Sequence, residues 1–546
     1  MSSSWSLLTL FSLVATGAFA AIGPTAQLTI TNANIAPDGL SRSSVLANGV
    51  FPAPLITGNK GDAFSLTVAD SLTDTTMDLV TSIHWHGLFQ KSTNYADGVS
   101  GVTQCPIVPD NSFEYAFSVP GQAGTFWYHR LVEHDFDTVM VSGKFSIQLY
   151  VRGAYLLISV SRGALVIYDP ADPAASLYDV DDDSTVITLA DWYHYTSKNA
   201  PAIPAPSATL INGLGRYSGG PASDLAVINV TKGTRYRFRL VSISCDTNFI
   251  FSIDNHKFSV IEVDGVNHKP QPIDNVQIFA GQRYSLVMTA DQDVGNYWVR
   301  AQPNNIAATF DGGLNSAILR YKDATVADPT TTSSLSLALN EQDLHPLESV
   351  DYLSDKTPGG ADVNLELDVT FTGGLFAVNG KSFEAPDVPV LLQILSGTPP
   401  ASLLPNGSVQ LLPPNAVVEI AIPGGVAAGP HPIHLHGHTF SVVRSAGNAT
   451  YNYENPPIRD VVSIGTAATD RTTIRFRTDN AGPWFMHCHI DWHLTAGFAV
   501  VMAEDSEDVP NDVHPTDNWN ALCPAWNTYS STTGITQGGL KPIKAT

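Results

Sequence analysis

At 546 residues the chain is too long for one ordinary hydrophobic core, and its length predicts about three or four domains. Its 51 acidic residues against 28 basic ones leave a formal charge of −23, which repels the phosphates of nucleic acid and anionic lipid heads, so neither is expected as a partner. With four cysteines it is not a disulfide-dense miniature scaffold.

Residues 1 to 20 read as a secretory signal: a mainly apolar stretch from Trp5 to Ala15, then Ala18-Phe19-Ala20 as a small-x-small cleavage site, with Ala21 the expected mature start. No later run approaches the roughly eighteen uninterrupted apolar residues that span a bilayer, so the mature protein is expected to be soluble and extracellular. Three glycosylation sequons, at Asn229, Asn406 and Asn448, agree with that route. Beyond the signal the recurrent pattern is a short alternating run bounded by Gly, Pro, Asn and Asp, as in Ala26-Gln27-Leu28-Thr29-Ile30, Tyr236-Arg237-Phe238-Arg239-Leu240 and Ile474-Arg475-Phe476-Arg477. Period-two alternation with frequent turns predicts antiparallel strands packed as sandwiches, and long amphipathic helical windows are scarce.

An internal repeat divides the chain. Gly124-Thr125-Phe126-Trp127-Tyr128-His129 returns as Gly295-Asn296-Tyr297-Trp298-Val299-Arg300 and as Gly482-Pro483-Trp484-Phe485-Met486-His487, 171 and 187 residues apart. This predicts three related β-domains. Ile83-His84-Trp85-His86-Gly87 recurs only in the third copy, as Ile433-His434-Leu435-His436-Gly437; the middle copy has Arg300 in place of histidine. The middle domain is therefore expected to be structural or substrate-facing, and the outer two to carry the chemistry. An acidic run, Asp179 to Asp183, and a Thr/Ser-rich stretch, Thr330 to Ser334, place the expected junctions near 175 and 335 and the domains at 21–175, 176–335 and 336–546.

Ten of the sixteen histidines fall in four clusters: His84 and His86; His129; His431, His434, His436 and His438; His487, His489 and His493. A lone histidine is most simply a satisfied polar group, but four clusters at repeat-related positions point to metal. On a strand, residues two apart share a face, so His84 with His86 and His434 with His436 each present two imidazoles together. In His487-Cys488-His489 the same alternation sends two imidazoles one way and a thiolate the other, so this tripeptide can join two metal sites. A thiolate with two imidazoles and at most a weak axial partner is the ligand set of blue copper, with His493 and His431 available beside Cys488. A structural zinc site would need neither the bridge nor so many imidazoles.

These four segments resemble the copper signatures of fungal laccases, in the multicopper oxidase family. The resemblance runs from about Ala21 to Cys523 and is interrupted once. It implies an all-β chain of three cupredoxin-like Greek-key sandwiches with four coppers. By it, His431, Cys488 and His493 hold the type 1 copper, His84 and His434 the type 2 copper, and His86, His129, His436, His487 and His489 the type 3 pair; His438 matches a position that is not a ligand. Phe498 matches the axial position, where phenylalanine cannot ligate, implying a higher potential than methionine gives. Asp246 matches the acid that accepts the phenol proton beside the type 1 site, and Asp97 and Asp491 the carboxylates that manage protons near the trinuclear copper; as sequence alone, each reads equally as an acid at a turn. The resemblance also pairs Cys105 with Cys523.

The interruption falls after His129. The family carries His-Ser-His there, whereas this chain reads His129-Arg130-Leu131, and family-like text resumes at Arg162-Gly163-Ala164. One type 3 histidine is missing, and so is the usual partner of Cys245, which is expected as a free thiol. Residues 130–161 read as retained intronic text, and the only imidazole within them is His134. The function implied is oxidation of phenols and aromatic amines coupled to reduction of dioxygen to water, by a secreted monomer. The alternatives are a multicopper oxidase acting on ascorbate, bilirubin or ferrous iron, and a copper-binding protein without catalysis.

Overall fold

Alternation translates into strands much as expected. In Ala63–Ser71 the residues Phe64, Leu66 and Val68 point into a core while Ser65 and Thr67 face outward, and in Ser112–Ser118 Phe113, Tyr115 and Phe117 do the same around the exposed Glu114. A computed structural model describes residues 20–131, 161–201, 203–303, 309–353, 355–404 and 408–535. The expected signal sequence up to Phe19, Asn406, His134 and the rest of the interruption between Leu131 and Ser161 lie outside them.

Three pairs of sheets follow one another along the chain. The first pairs a four-stranded sheet, built on Thr25–Ile35 between Arg42–Ala47 and Ala63–Ser71, with another of Ile56–Asn59, Arg162–Tyr168, Gly124–Arg130 and Ile83–His86. The second packs six strands against five, and the third five against five with a two-stranded ribbon, Val369–Thr372 and Leu375–Val378, beside it. Each pair closes over an apolar cluster, and that of the first continues into the third through Phe485, Val501 and Trp519. Among the described residues no helix is long and apolar enough to cross a membrane.

Two features depart from the simple reading. Arg237, Arg239 and Arg475, at the polar positions of their alternating runs, are buried rather than solvated. Each is ion-paired: Arg237 with Glu262, Arg239 with Asp181 at 2.7 Å, and Arg475 with Glu419 at 2.6 Å. The acidic run is thus partly absorbed, with Asp179 on Arg235 and Asp181 on Arg239. The second departure is a 17-residue helix, Asp517–Thr533, that the sequence did not announce. Its start is capped by the Thr516 side chain accepting from the Trp519 N–H, and Cys523 within it bonds Cys105 across 418 residues. The disulfide inferred from the resemblance is therefore present, and Cys245 is free and buried.

Candidate metal centres

Register builds the site. His84 stands opposite His129 where Ile83–His86 pairs with Gly124–Arg130, and His434 stands opposite His487 where Pro432–Leu435 pairs with Gly482–Cys488. The middle sandwich repeats the arrangement with Ser252 opposite Arg300, and there Arg300 is consumed by a bidentate pair with Asp254 at 2.7 Å. The outer sandwiches meet so that their His-x-His pairs interleave: His84 stacks on His436 and His86 on His434, each with ring centres 3.8 Å apart. His129, His487 and His489 complete a cluster of seven buried imidazoles.

Hydrogen bonds set which nitrogen faces inward. The Nδ1 atoms of His84 and His434 lie 2.8 Å from the carbonyl oxygens of Asp97 and Asp460, that of His487 2.9 Å from the carbonyl of Cys488, and that of His129 3.3 Å from the carbonyl of Arg130. Each must donate there, which leaves Nε2 a lone pair, and the Nε2 atoms of His84, His129 and His434 are buried without a hydrogen-bond partner. His436 has the same orientation but a different acceptor: its Nδ1 donates to the Asp97 carboxylate at 2.9 Å, and its Nε2 lies 3.1 Å from the Nε2 of His487. Two lone pairs aimed at each other in a dry interior are unfavourable without a cation between them. Burial, reinforced by the neighbouring imidazoles, holds His86, His129, His434, His436 and His489 well below the ordinary histidine range, and His487 at about 4. Neutral imidazoles are the form that binds metal. Gly281, at φ +85°, makes the space: a Cβ there would lie 2.8 Å from His489 and 3.1 Å from His86.

The imidazoles fall into groups. His86 Nδ1 and His489 Nε2 are 3.2 Å apart with His129 against the His489 ring; His436 and His487 form a second pair. Apart from His84 and His434, which group with His436, no described imidazole joins this second pair; Leu131, buried just past the end of the strand, stands two residues beyond His129.

Cys488 faces the other way. Its Sγ lies 3.7 Å from His431 Nδ1 and 3.6 Å from His493 Nδ1, which are themselves 3.0 Å apart. A five-residue helix, Asp491–Thr495, delivers His493, and Phe498 and Phe376 wall the cluster with ring centres 5.2 and 5.4 Å from His431. Burial pushes the Cys488 thiol well up and His431 down to about 4, so the thiolate that the donor set offers calls for a bound cation. Both clusters fit copper, being soft sulfur with imidazole in one and imidazole alone in the other.

The carboxylates divide. Asp97 lies between His84 and His436, fixed by Gly98, whose Cβ would lie 1.8 Å from the Ile83 carbonyl. Asp491 opens the His493 helix and pairs with Arg162; burial, opposed by that arginine, raises it to about 6. Asp246 lies near Asp191 and Asp491, and burial with these two charges raises it to about 7. His438 is elsewhere, 3.0 Å from Glu504; burial opposes its charge, but the carboxylate prevails and raises it. Sequence reasoning missed Asp460 and Arg283. Asp460 accepts a bidentate Arg283 at 2.6 and 2.7 Å and lies 3.3 Å from His86 Nε2, a contact made only by tertiary packing.

The multicopper oxidase family models match residues 29–148, 183–324 and 383–508. The chain is 57% identical to a laccase of Trametes hirsuta over 93% of its own length and 95% of that protein's, and 52% identical to laccase-2 of Pleurotus ostreatus over 96% of each. Among solved structures it superposes on the laccase of Botrytis aclada with a TM-score of 0.76 at 30% identity over 94% of each chain. It also superposes on Fet3p, a multicopper oxidase that functions in iron import, with a TM-score of 0.78 at 25% identity over 96% of this chain and 99% of that one. An all-β chain of cupredoxin-like sandwiches with histidine clusters at the repeat positions, and with such relatives along nearly its whole length, belongs to the multicopper oxidases and within them to the laccases.

Proposed function

We propose that this laccase takes single electrons from phenols and aromatic amines at the Cys488 cluster and reduces dioxygen to water at the seven-histidine cluster. The observation that carries the reading is the strand end Gly482–Cys488, which turns Cys488 toward His431 and His493 and sets His487 among the other imidazoles, a few covalent bonds away. His431, Cys488 and His493 would hold one copper and His84 with His434 a second; His86, His129 and His489 would hold a third, and His436 with His487 a fourth. Bound copper supplies one-electron chemistry, and gathering four such steps permits the four-electron reduction of dioxygen.

The chain's own residues do the rest. Phe498 contributes no donor, leaving three protein ligands at the Cys488 cluster. The Asp246 carboxylate accepts the proton that a phenol releases when it gives up an electron. Asp97, which accepts from His436, and Asp491, paired with Arg162, are the carboxylates that relay protons toward the histidine cluster. The buried walls exclude water and competing reductants. Residues 1–20 read as a signal removed at Ala21, the mature protein as an extracellular monomer, and the exposed Asn229 and partly exposed Asn448 as glycan acceptors.

Oxygen uptake by the copper-loaded chain with a simple methoxyphenol tests the proposal. Uptake coupled to phenol oxidation is expected. A folded blue protein that consumes no oxygen would replace it with the non-catalytic copper-binding reading and place the defect at His436 and His487.

A further inference from the structure

Asp191 lies near the end of Val186–Trp192, and its buried carboxylate accepts four hydrogen bonds. Oδ1 accepts from the Cys245 N–H at 2.7 Å; Oδ2 accepts from the Asp246 N–H at 2.9 Å, the Thr247 N–H at 3.0 Å and the Tyr193 hydroxyl at 2.9 Å. Four is the full acceptor capacity of a carboxylate, and neither a side-chain amide nor a hydroxyl can match it. Three of the donors are consecutive backbone amides, so these bonds seize one turn as a unit. On its far side the same turn meets the second cluster, because the Cys245 carbonyl accepts from the Asp491 N–H at 2.9 Å. The Ser244 hydroxyl closes the turn on the Thr247 carbonyl at 2.8 Å.

We propose that Asp191 is a positioning residue for phenol oxidation: its carboxylate fixes the Cys245–Thr247 turn, and so holds the Asp246 side chain in register with the helix that carries His493. The inference rests on Asp246 accepting the phenol proton, as read above. Asp191→Asn keeps one acceptor oxygen and sets an NH2 donor against amides it cannot bond, which lets the turn drift against the helix, and a displacement of about 1 Å in a reacting group costs up to about a hundredfold in rate. Oxidation of a donor that releases no proton does not depend on where Asp246 points.

The test uses the copper-loaded full chain with Asp191→Asn, comparing kcat/KM for 2,6-dimethoxyphenol with that for ferrocyanide, which yields an electron and no proton. The expected result is a fall of about ten- to a hundredfold in the phenol-to-ferrocyanide ratio with the blue absorbance unchanged. Amide hydrogen exchange across Cys245–Thr247 is expected to accelerate, and Asp191→Asn with Asp246→Asn is expected to lower the ratio no further than Asp246→Asn alone. Unchanged exchange, or phenol and ferrocyanide rates falling together, would overturn the proposal. If Asp246→Asn lowers the ratio and Asp191→Asn does not, the positioning role alone fails; if Asp246→Asn leaves the ratio unchanged, the reading of Asp246 fails and this proposal with it. Should Asp191→Asn yield no blue protein, Asp191→Glu, which keeps the charge but is one methylene longer, is judged by the same criteria.

Discussion

Phe498 stacks on Phe376 at 5.1 Å and faces the His431 ring, so the wall of the Cys488 cluster is aromatic where a weak donor would otherwise stand. Phe498→Met would add that donor and favour the oxidised metal, lowering the reduction potential by on the order of 60 mV, a tenfold shift for one electron. Redox titration of the blue band checks this, and an unchanged potential removes Phe498 from the axial role. At Asp246, burial with Asp191 and Asp491 lifts the carboxyl from 3.8 to about 7. Protonated, it cannot accept, so kcat/KM for phenols is expected to rise with pH through about 7, and Asp246→Asn to flatten that limb and slow phenol turnover about a hundredfold. For stability the sign is opposite. The folded state holds this proton more tightly than the unfolded one, so Asp246's contribution is full below about pH 4 and lost as pH rises through about 7, a slope that Asp246→Asn removes in pH-dependent melting. The strand histidines and Cys488 were legible because alternation fixes their faces locally, and His431 and His493, off the strands, by their closeness in sequence to those clusters; Asp191, Asp460 and Arg283 were not, because each works through a partner brought close only by folding.

Register is the property of the strands that matters most. His84 against His129 and His434 against His487 occupy equivalent places in two sandwiches; the His-x-His spacing announced His84 with His86 and His434 with His436, and the register adds these cross-strand partners. What spacing does not announce is that the two pairs interleave across an interface, or that an arginine in the middle copy is spent on Asp254. The helix Asp517–Thr533 was hidden because Pro524 and a run of Ser and Thr weaken its apolar period. Just past the Gly124–Arg130 strand, Leu131 stands two residues beyond His129, and His436 with His487 is one ligand short of the three protein donors usual in an open metal site. Leu131→His is expected to hold the copper at His436 and His487 more tightly, read by metal analysis as slower loss of one copper per chain on dialysis against a chelator. No change would mean that Leu131 does not face the pair.

At the scale of the molecule, Arg283 ties the three sandwiches together. It belongs to the second, holds Asp460 of the third, and donates to the Thr125 carbonyl of the first at 2.9 Å. Arg283→Ala would strand a buried carboxylate beside His86 and is expected to cost about 3–5 kcal/mol, seen as a lower melting midpoint with intact secondary structure. The imidazole cluster spans the first and third sandwiches, so stripping copper is expected to lower the midpoint and to split one calorimetric transition into several. The Cys105–Cys523 bond has a consequence of another kind, for biosynthesis. At translation rates of about 5–20 residues per second, the 418 residues between them take roughly 20 to 80 s to appear. Throughout that interval Cys105 is an unmated thiol, and Cys245 emerges long before its rightful partner. Cys245 packs against Tyr193 of its own sandwich and Trp492 of the third, so its thiol is fully withdrawn from oxidants only when the third sandwich docks, at about the stage when Cys523 itself emerges.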